Sequence, residues 1–254
     1  MNQSALPENR PKGKHGCLLS AVLTAALLVA IGCSVKELLL PRLPIVMEHG
    51  DEIPQELLDL AERNPEAADF VRSYPKEHET PHDPSLSAAE RKADVPLLLQ
   101  WDKRWGYLPY GGQVAGLTAC GPMCLAMAGY AVTEDEETFR PDKVLEFARK
   151  GLYYVPGTGS SWTLISEGGP ELGLTVRELP LDCGTMENSL QAGNPIICAM
   201  GPGAFTTTGH FIVLTGVEDG KFSVNDPNSR EKSEKLWEYA EFSDQIRNLW
   251  EISA

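Results

Sequence analysis

Histidine, clustered positive charge and metal-binding spacings are all scarce in this chain of 254 residues. A single histidine, His210, follows residue 82, so any imidazole chemistry in the second half of the chain has one candidate. The formal net charge is −14 and basic residues do not cluster beyond residue 42, which argues against a nucleic-acid partner. His78 and His82 have a helical metal-binding spacing, but Pro81 disfavours a helix there. We therefore predict neither a metal nor another cofactor.

Cysteines are also few, which excludes a disulfide-rich scaffold. The six cysteines are Cys17, Cys33, Cys120, Cys124, Cys183 and Cys198. Cys17 and Cys33 belong to the amino-terminal apolar stretch, and a bridge between Cys183 and Cys198 stays open. Cys124 follows Cys120 by one helical turn and is interpreted as a packing residue.

One long hydrophobic run is present, at residues 16–35, and it contains no charged residue. About 20 residues at 1.5 Å each span roughly 30 Å, the thickness of the hydrocarbon layer. The leader at residues 1–15 is basic, so we predict that it stays in the cytoplasm and that the rest of the chain is exported. The alternative is a lipoprotein anchored at Cys33, because residues 30–33 resemble a lipoprotein cleavage box. Both interpretations place a single-pass or lipid-anchored protein at the cell membrane, with its main domain outside.

The remainder divides into a juxtamembrane region at residues 36–92 and a main domain at residues 93–254. Residues 53–74 have the apolar spacing of two short amphipathic helices interrupted at Asn64 and Pro65. In the main domain, helices come first and strands later, which indicates an α+β fold with a helix packed on a mostly antiparallel sheet. The predicted helices are one that begins at Cys120, 141–150, 162–172 and 185–192. The predicted strands are 95–100, 174–179, 195–200, 210–217, 221–224 and 250–252.

Cys120 is placed at the start of a helix by the two residues that follow it. Gly121 and Pro122 are compatible with a first helical turn, and good helix formers continue to Tyr130. Unpaired N–H groups and the positive end of the helix dipole favour a thiolate at such a position. Burial as a small apolar residue is the alternative role for a lone cysteine.

His210 and Asp226 are candidate partners of that thiol. His210 begins an apolar strand after a Gly/Thr-rich loop, and Asp226 ends the next strand, although Asp–Pro also opens turns. A three-residue loop at 218–220 would pair Val217 with Lys221 and bring Asp226 opposite Ile212, diagonal to His210. A two-residue turn would place Asp226 on the opposite face. The chemistry therefore predicts the longer loop or a bulge.

Several motifs in this order resemble those of the papain-like cysteine peptidases, in the bacteriocin-leader-peptidase-like (C39-like) branch. They are VPLLLQWDKRW, GYLPYGG, TACGPMCLAMAGY, GHFIVLTGV and VNDPNS. The resemblance implies a papain-like fold in which Cys120 is the nucleophile, His210 the base and Asp226 the orienting acid. It also implies a glutamine oxyanion donor, for which Gln100 matches the motif after VPLLL. Gln113 is the alternative, and the backbone N–H of Cys120 would be the second donor.

The expected function is a membrane-tethered, outward-facing thiol hydrolase that cleaves peptide or amide bonds, including those of cell-wall peptides. Double-glycine leader cleavage is not expected, because no exporter domain follows in this sequence. The alternative is a catalytically silent domain that binds partners at the cell surface, with residues 53–74 as the binding surface. A further expectation is that residues 53–74 brace the main domain or occlude its cleft.

Overall fold

The computed structural model describes residues 52–254. Within that part of the chain, no helix is long and apolar enough to cross a membrane. The predicted anchor at 16–35 and the alternative anchor Cys33 lie outside the described residues.

The helices are α1 (Gln55–Arg63), α2 (Ala68–Glu77), α3 (Ala115–Thr118), α4 (Cys120–Thr133), α5 (Glu136–Phe139), α6 (Pro141–Lys150), α7 (Thr163–Ser166), α8 (Gly168–Glu171), α9 (Cys183–Gln191), α10 (Arg230–Glu234) and α11 (Tyr239–Phe242). The strands are β1 (Pro109–Tyr110), β2 (Gln113–Val114), β3 (Tyr154–Val155), β4 (Gly159–Ser160), β5 (Thr175–Glu178), β6 (Ile196–Met200), β7 (His210–Glu218), β8 (Lys221–Asn225), β9 (Leu236–Glu238) and β10 (Ile246–Ser253). Short 3₁₀ helices occupy Pro65–Ala67, Glu90–Lys92 and Ser243–Gln245.

A six-stranded sheet forms the carboxyl-terminal half, in the order β5-β10-β6-β7-β8-β9. Every neighbouring pair in it is antiparallel. Consecutive side chains point to opposite faces of a strand, so β6, which is buried along its whole length, supplies two cores. Ile197 and Ala199 join the core that contains α4, whereas Ile196 and Cys198 join a second core with α9 and α11. This is the predicted helix on an antiparallel sheet.

Helix α4 is the central helix, and it packs against β7, β10 and α6. It is buried on nearly all sides, because its sequence after Cys120 is almost entirely apolar. Gly129 lets Phe139 approach closely, since a Cβ atom at Gly129 would lie within 2.2 Å of two atoms of that ring. The burial of α4 fixes the position of its first residue, Cys120.

Two amphipathic helices precede the main domain, as predicted, and they pack onto it. Asn64 accepts a hydrogen bond from the backbone N–H of Glu66, and Pro65 begins a 3₁₀ turn between α1 and α2. The ring of Phe70 stacks on that of Tyr107, with centroids 4.4 Å apart, and the Tyr107 hydroxyl donates to the Phe70 carbonyl at 2.7 Å. Residues 52–254 all belong to one compact unit.

Two of the predicted elements were wrong. Residues 95–100 form no strand, because their backbone groups pair with side chains and a loop carbonyl instead of a neighbouring strand. The partners include the Asn225 side chain, Met127 Sδ and the Pro227 carbonyl. The helix predicted over 162–172 is two short helices, α7 and α8, separated at Glu167. The short edge strand β9 was missed, and β10 is longer than the predicted 250–252.

Candidate active site

Cys120 is the first residue of α4, as the sequence predicts, and it is partly exposed. No side chain caps this helix, and Pro122 lies in the first turn, where its missing N–H costs no helical hydrogen bond. Gly121 allows the turn to approach β4, because a Cβ atom there would lie 2.7 Å from both Cβ and Oγ of Ser160. The helix therefore starts against Ser160, with its first N–H groups free of a side-chain cap.

His210 and Asp226 form a short hydrogen bond, with Nε2 of His210 2.7 Å from Oδ1 of Asp226. Both side chains are almost fully buried, at 8% and 1% exposure. Cys120 and His210 line the same cavity, and the nearby Cys120 thiol contributes to the raised pKa of His210. With Nε2 on the carboxylate, Nδ1 is the ring nitrogen available to the sulfur. The structure thus brings the three predicted side chains together.

A β-bulge produces the register that this contact needs. Glu218 pairs with Lys221 across a two-residue turn, Asp219–Gly220, whose backbone φ angles are both positive. The expected pairing of Val217 with Lys221 was therefore wrong. The register shifts by one residue between Leu214 and Gly216, and Val213 then pairs with Asn225, the register that puts Asp226 opposite Ile212. The bulge, one of the two predicted solutions, is confirmed.

The electrostatics of the pair favour a protonated imidazole. Burial lowers the pKa of His210, but the charge and hydrogen bond of Asp226, together with the Cys120 contact, outweigh burial and raise this pKa to about 10. His210 can therefore hold a proton next to the sulfur while Asp226 supplies the balancing negative charge.

Asp226 is held by the turn that follows β8. Its Oδ1 also accepts the backbone N–H of Asn228 at 2.8 Å, and its own N–H donates to Oγ of Ser233. Asn64, from the connection between α1 and α2, donates to the Asn228 carbonyl at 2.6 Å, and Trp101 donates to the same oxygen. The amino-terminal helices thus brace the turn that carries the carboxylate.

Gln100 and Gln113 lie in different places. Gln100 is buried, and its Nε2 donates to the Gly116 carbonyl at 2.8 Å, one turn before Cys120. The amide group has a second N–H, which is available to another acceptor. Gln113 is exposed in β2 and lines a separate cavity with Leu57 and Tyr74. Neither glutamine lines the cavity that contains Cys120.

The cavity at Cys120 has a volume of about 260 Å³ and lies between two loops. One wall is the β3–β4 hairpin with Trp162, which is 46% exposed and meets Trp250 edge-on. The other wall comprises the end of β6, the loop before β7, and Arg247 of β10. Residues of α1 and α2 do not contribute to this lining. Residues 53–74 thus pack on the main domain, as a brace would, and they do not line this cavity.

The other thiols of residues 52–254 are less suited to nucleophilic chemistry. Cys124 is fully buried, as predicted, and burial raises its thiol pKa well above the usual value. Cys198 is also buried and its pKa is raised, while Cys183 forms no disulfide with it. Within residues 52–254, no group of three or more potential ligands is arranged to hold a metal ion.

Sequence reasoning missed Ser160, Glu66 and Arg247. Ser160 contacts the helix start and pairs with the Tyr110 hydroxyl at 2.9 Å, and burial raises the pKa of that hydroxyl to about 12. A lone serine in a Gly/Ser loop carries no local signal for this position. Glu66 and Arg247 reach the site through contacts between parts of the chain that are far apart in sequence, and no sequence spacing predicts such contacts.

Residues 174–254 match the family model described as the Peptidase_C39 like family, a segment that contains His210 and Asp226. No curated protein matches the chain.

Two solved structures are similar to this chain. The peptidase domain of Streptococcus ComA, a bi-functional ABC transporter involved in a quorum-sensing pathway, is 19% identical with a TM-score of 0.38, and the alignment covers 53% of this chain and 90% of that one. A C39-like peptidase from Bacillus anthracis is 16% identical with a TM-score of 0.35, and the alignment covers 63% of this chain and 95% of that one. The resemblance to the C39-like peptidase family, predicted from the sequence, is confirmed by the family match over residues 174–254.

Proposed function

We propose that this chain is a cysteine peptidase or amidase that uses Cys120 as nucleophile, His210 as base and Asp226 as the group that orients His210. The single observation that carries this proposal is the 2.7 Å contact between His210 Nε2 and Asp226 Oδ1, at the cavity that His210 lines together with Cys120. These are the parts that nucleophilic acyl transfer requires. The C39-like family match supports cysteine peptidase activity.

The mechanism follows from the two sides of the imidazole. His210 takes the Cys120 proton at Nδ1, and Asp226 stabilises the imidazolium through Nε2. The sulfur attacks the carbonyl carbon of the substrate, and the imidazolium then gives its proton to the leaving amine. Water, activated by His210, hydrolyses the thioester and regenerates the thiol.

The oxyanion formed by this attack needs donors that point at it before the reaction begins. We assign one donor to the backbone N–H of Cys120 and the second to Nε2 of Gln100. Gln100 is favoured over Gln113 because it is anchored to Gly116, one turn before the nucleophile, whereas Gln113 lines another cavity. In this assignment the free N–H of Gln100 turns toward the oxyanion when a substrate is bound.

We further propose that residues 16–35 tether the enzyme to the membrane with its catalytic domain outside, or that a lipid on Cys33 does so. The basic leader and the uncharged run support the tether. An outward-facing domain would meet peptides, cell-wall peptides and surface-protein amides. Reporter fusions at residue 45 and at the carboxyl terminus test the orientation, and cytoplasmic activity of both reporters would refute it.

Mass spectrometry of products from a peptide library tests the catalytic proposal. The full chain should generate products that the Cys120→Ala variant does not generate. A thiol-directed electrophile should modify Cys120 faster than Cys183, the other partly buried cysteine of residues 52–254, and His210→Ala should suppress this difference. No products, with equal labelling in native and unfolded protein, would instead favour the silent binding domain.

A further inference from the structure

The cavity at Cys120 has an unusual charge for this protein. The chain carries a net charge of −14, yet the residues that line the cavity include no aspartate or glutamate. Apart from His210, the charged side chain in the lining is Arg247. A substrate that enters this cavity therefore meets local positive charge on an acidic protein.

Arg247 is exposed, is held by two backbone carbonyls and has hydrogen-bonding capacity to spare. Its Nη1 donates to the backbone carbonyls of Asp244 at 2.9 Å and Ile246 at 3.3 Å. Within residues 52–254, its hydrogen bonds come from Nη1 alone, so Nε and Nη2 make none, and it forms no ion pair with an acidic group. The guanidinium is thus anchored on one side and unpaired on the other.

Gly201 provides the space for this arrangement. A Cβ atom at Gly201 would lie 2.5 Å from Nε and 2.7 Å from Nη2 of Arg247, so a larger residue would displace the guanidinium. The Gly201 N–H donates to the Gln245 carbonyl at 2.7 Å, and the Gln245 side chain accepts the Ala204 N–H. These bonds join the loop after β6 to the start of β10, and the wall that carries Arg247 is preorganised.

We propose that Arg247 is a specificity residue that binds a carboxylate adjacent to the scissile bond of the substrate. This inference rests on the proposed peptidase or amidase function. Arginine presents N–H groups in a planar fork that matches a carboxylate, and the unpaired Nε and Nη2 form one edge of that fork. The opposite wall offers the exposed ring of Trp162 to an apolar part of the substrate. The substrate class is a peptide or amide with an acidic side chain or a free terminal carboxylate beside the cleaved bond.

Alkylation of Cys120 tests this charge preference without a known substrate. Iodoacetate carries a carboxylate next to its reactive carbon, and iodoacetamide is its neutral analogue. The ratio of the iodoacetate rate to the iodoacetamide rate should fall about fivefold or more in Arg247→Gln. Arg63→Gln, which removes an exposed arginine of α1, should leave the ratio unchanged. An unchanged ratio in Arg247→Gln, in protein with a normal melting temperature, would overturn the inference.

Matched substrates separate the two sources of the carboxylate. Library peptides that differ only by Glu or Gln, and peptides that end in a free carboxylate or an amide, are compared at each position around the cleaved bond. The acidic member of one pair should be favoured in kcat/KM by about tenfold, and Arg247→Glu should reverse the preference toward lysine. Arg247→Lys should keep part of the preference, because it keeps the charge without the fork.

The outcomes distinguish this inference from the function on which it rests. Cleavage that depends on Cys120 but does not discriminate Glu from Gln refutes the role of Arg247 and leaves the peptidase intact. Absence of any cleavage refutes the peptidase, and the alkylation ratio still reports whether Arg247 attracts a carboxylate.

Discussion

The carboxylate of Glu66 accepts a hydrogen bond from the Ser229 hydroxyl at 2.7 Å, between residues 163 positions apart in the chain. The same carboxylate accepts the backbone N–H of Arg230 at 2.9 Å, at the start of α10. Ser229 in turn forms an isolated antiparallel β-bridge with Asp226. The Asp226 carboxylate accepts a hydrogen bond from the Asn228 N–H. The segment before the main domain therefore holds the turn that positions the carboxylate of the candidate triad.

Glu66→Gln is expected to weaken this turn, because the amide keeps the size of the side chain but loses its charge and one acceptor oxygen. We expect the free energy of unfolding to fall by ~1–2 kcal/mol, and the alkylation rate of Cys120 to fall with it. Urea denaturation and timed alkylation measure the two effects. Glu62→Gln, an exposed neighbour in α1, is the matched control. If both variants behave like the wild type, the brace has no effect on the site.

Asp226→Asn should move the alkaline limit of activity. In the wild type the pKa of His210 is raised to about 10, so the imidazole stays protonated well above neutral pH. Without the Asp226 charge, burial of the ring remains, and burial lowers the pKa. The alkaline limb of peptide turnover, which needs the imidazolium to protonate the leaving amine, should therefore shift downward by at least ~1 pH unit. Asp219→Asn changes an exposed acid of the same hairpin, and a shift of equal size there would contradict this explanation.

The same raised pKa predicts how stability depends on pH. A group that binds its proton more tightly in the folded state stabilises the fold fully below its unfolded pKa, which is about 6.5 for histidine. The contribution of His210 is then lost as the pH rises from there through about 10. Urea midpoints of the wild type and His210→Gln should converge over this interval. Parallel curves for the two proteins would show that His210 is not protonated in the fold.

The local parts of the site were predictable from sequence, whereas its supports were not. Gly121 and Pro122 mark the start of α4, and the apolar run after His210 marks β7, because helix starts and buried strands have local signatures. Whether Asp226 reaches His210 depends on a one-residue bulge near Leu214. The sequence did not decide between this bulge and a longer loop.

Glu66 and Arg247 illustrate what lies beyond such reasoning. Each owes its position to contacts between distant parts of the chain, and neither belongs to a motif. Residues 95–100 illustrate the opposite error, since their apolar pattern is that of a strand. Several of their hydrogen bonds go instead to a side chain and a loop carbonyl near Asp226, so an apolar run alone did not determine the pairing.

Gln100→Met tests the second oxyanion donor while nearly keeping the length of the side chain. Loss of a preorganised donor should lower turnover of a cleaved peptide by about 10²–10³-fold. Alkylation by iodoacetamide forms no oxyanion, so its rate should fall far less than turnover does. Gln113→Met, in the exposed β2 strand, should leave turnover near the wild-type value. If turnover fell more in Gln113→Met than in Gln100→Met, the second oxyanion donor would be Gln113 instead of Gln100.

Gly121→Ala should disturb the start of α4, because the new Cβ atom would lie 2.7 Å from Cβ and Oγ of Ser160. Ser160 cannot easily retreat, since it is buried and its hydroxyl pairs with that of Tyr110. We expect a loss of ~1–3 kcal/mol in the free energy of unfolding and a lower rate of Cys120 alkylation. Gly184→Ala in α9, where the nearest heavy atom is 3.6 Å away, should be neutral or stabilising. Adding Ser160→Gly to Gly121→Ala removes the clashing atoms. Recovery of the alkylation rate in the double variant would show that the clash with Ser160 caused the loss, whereas a further loss of rate would show that it has another cause.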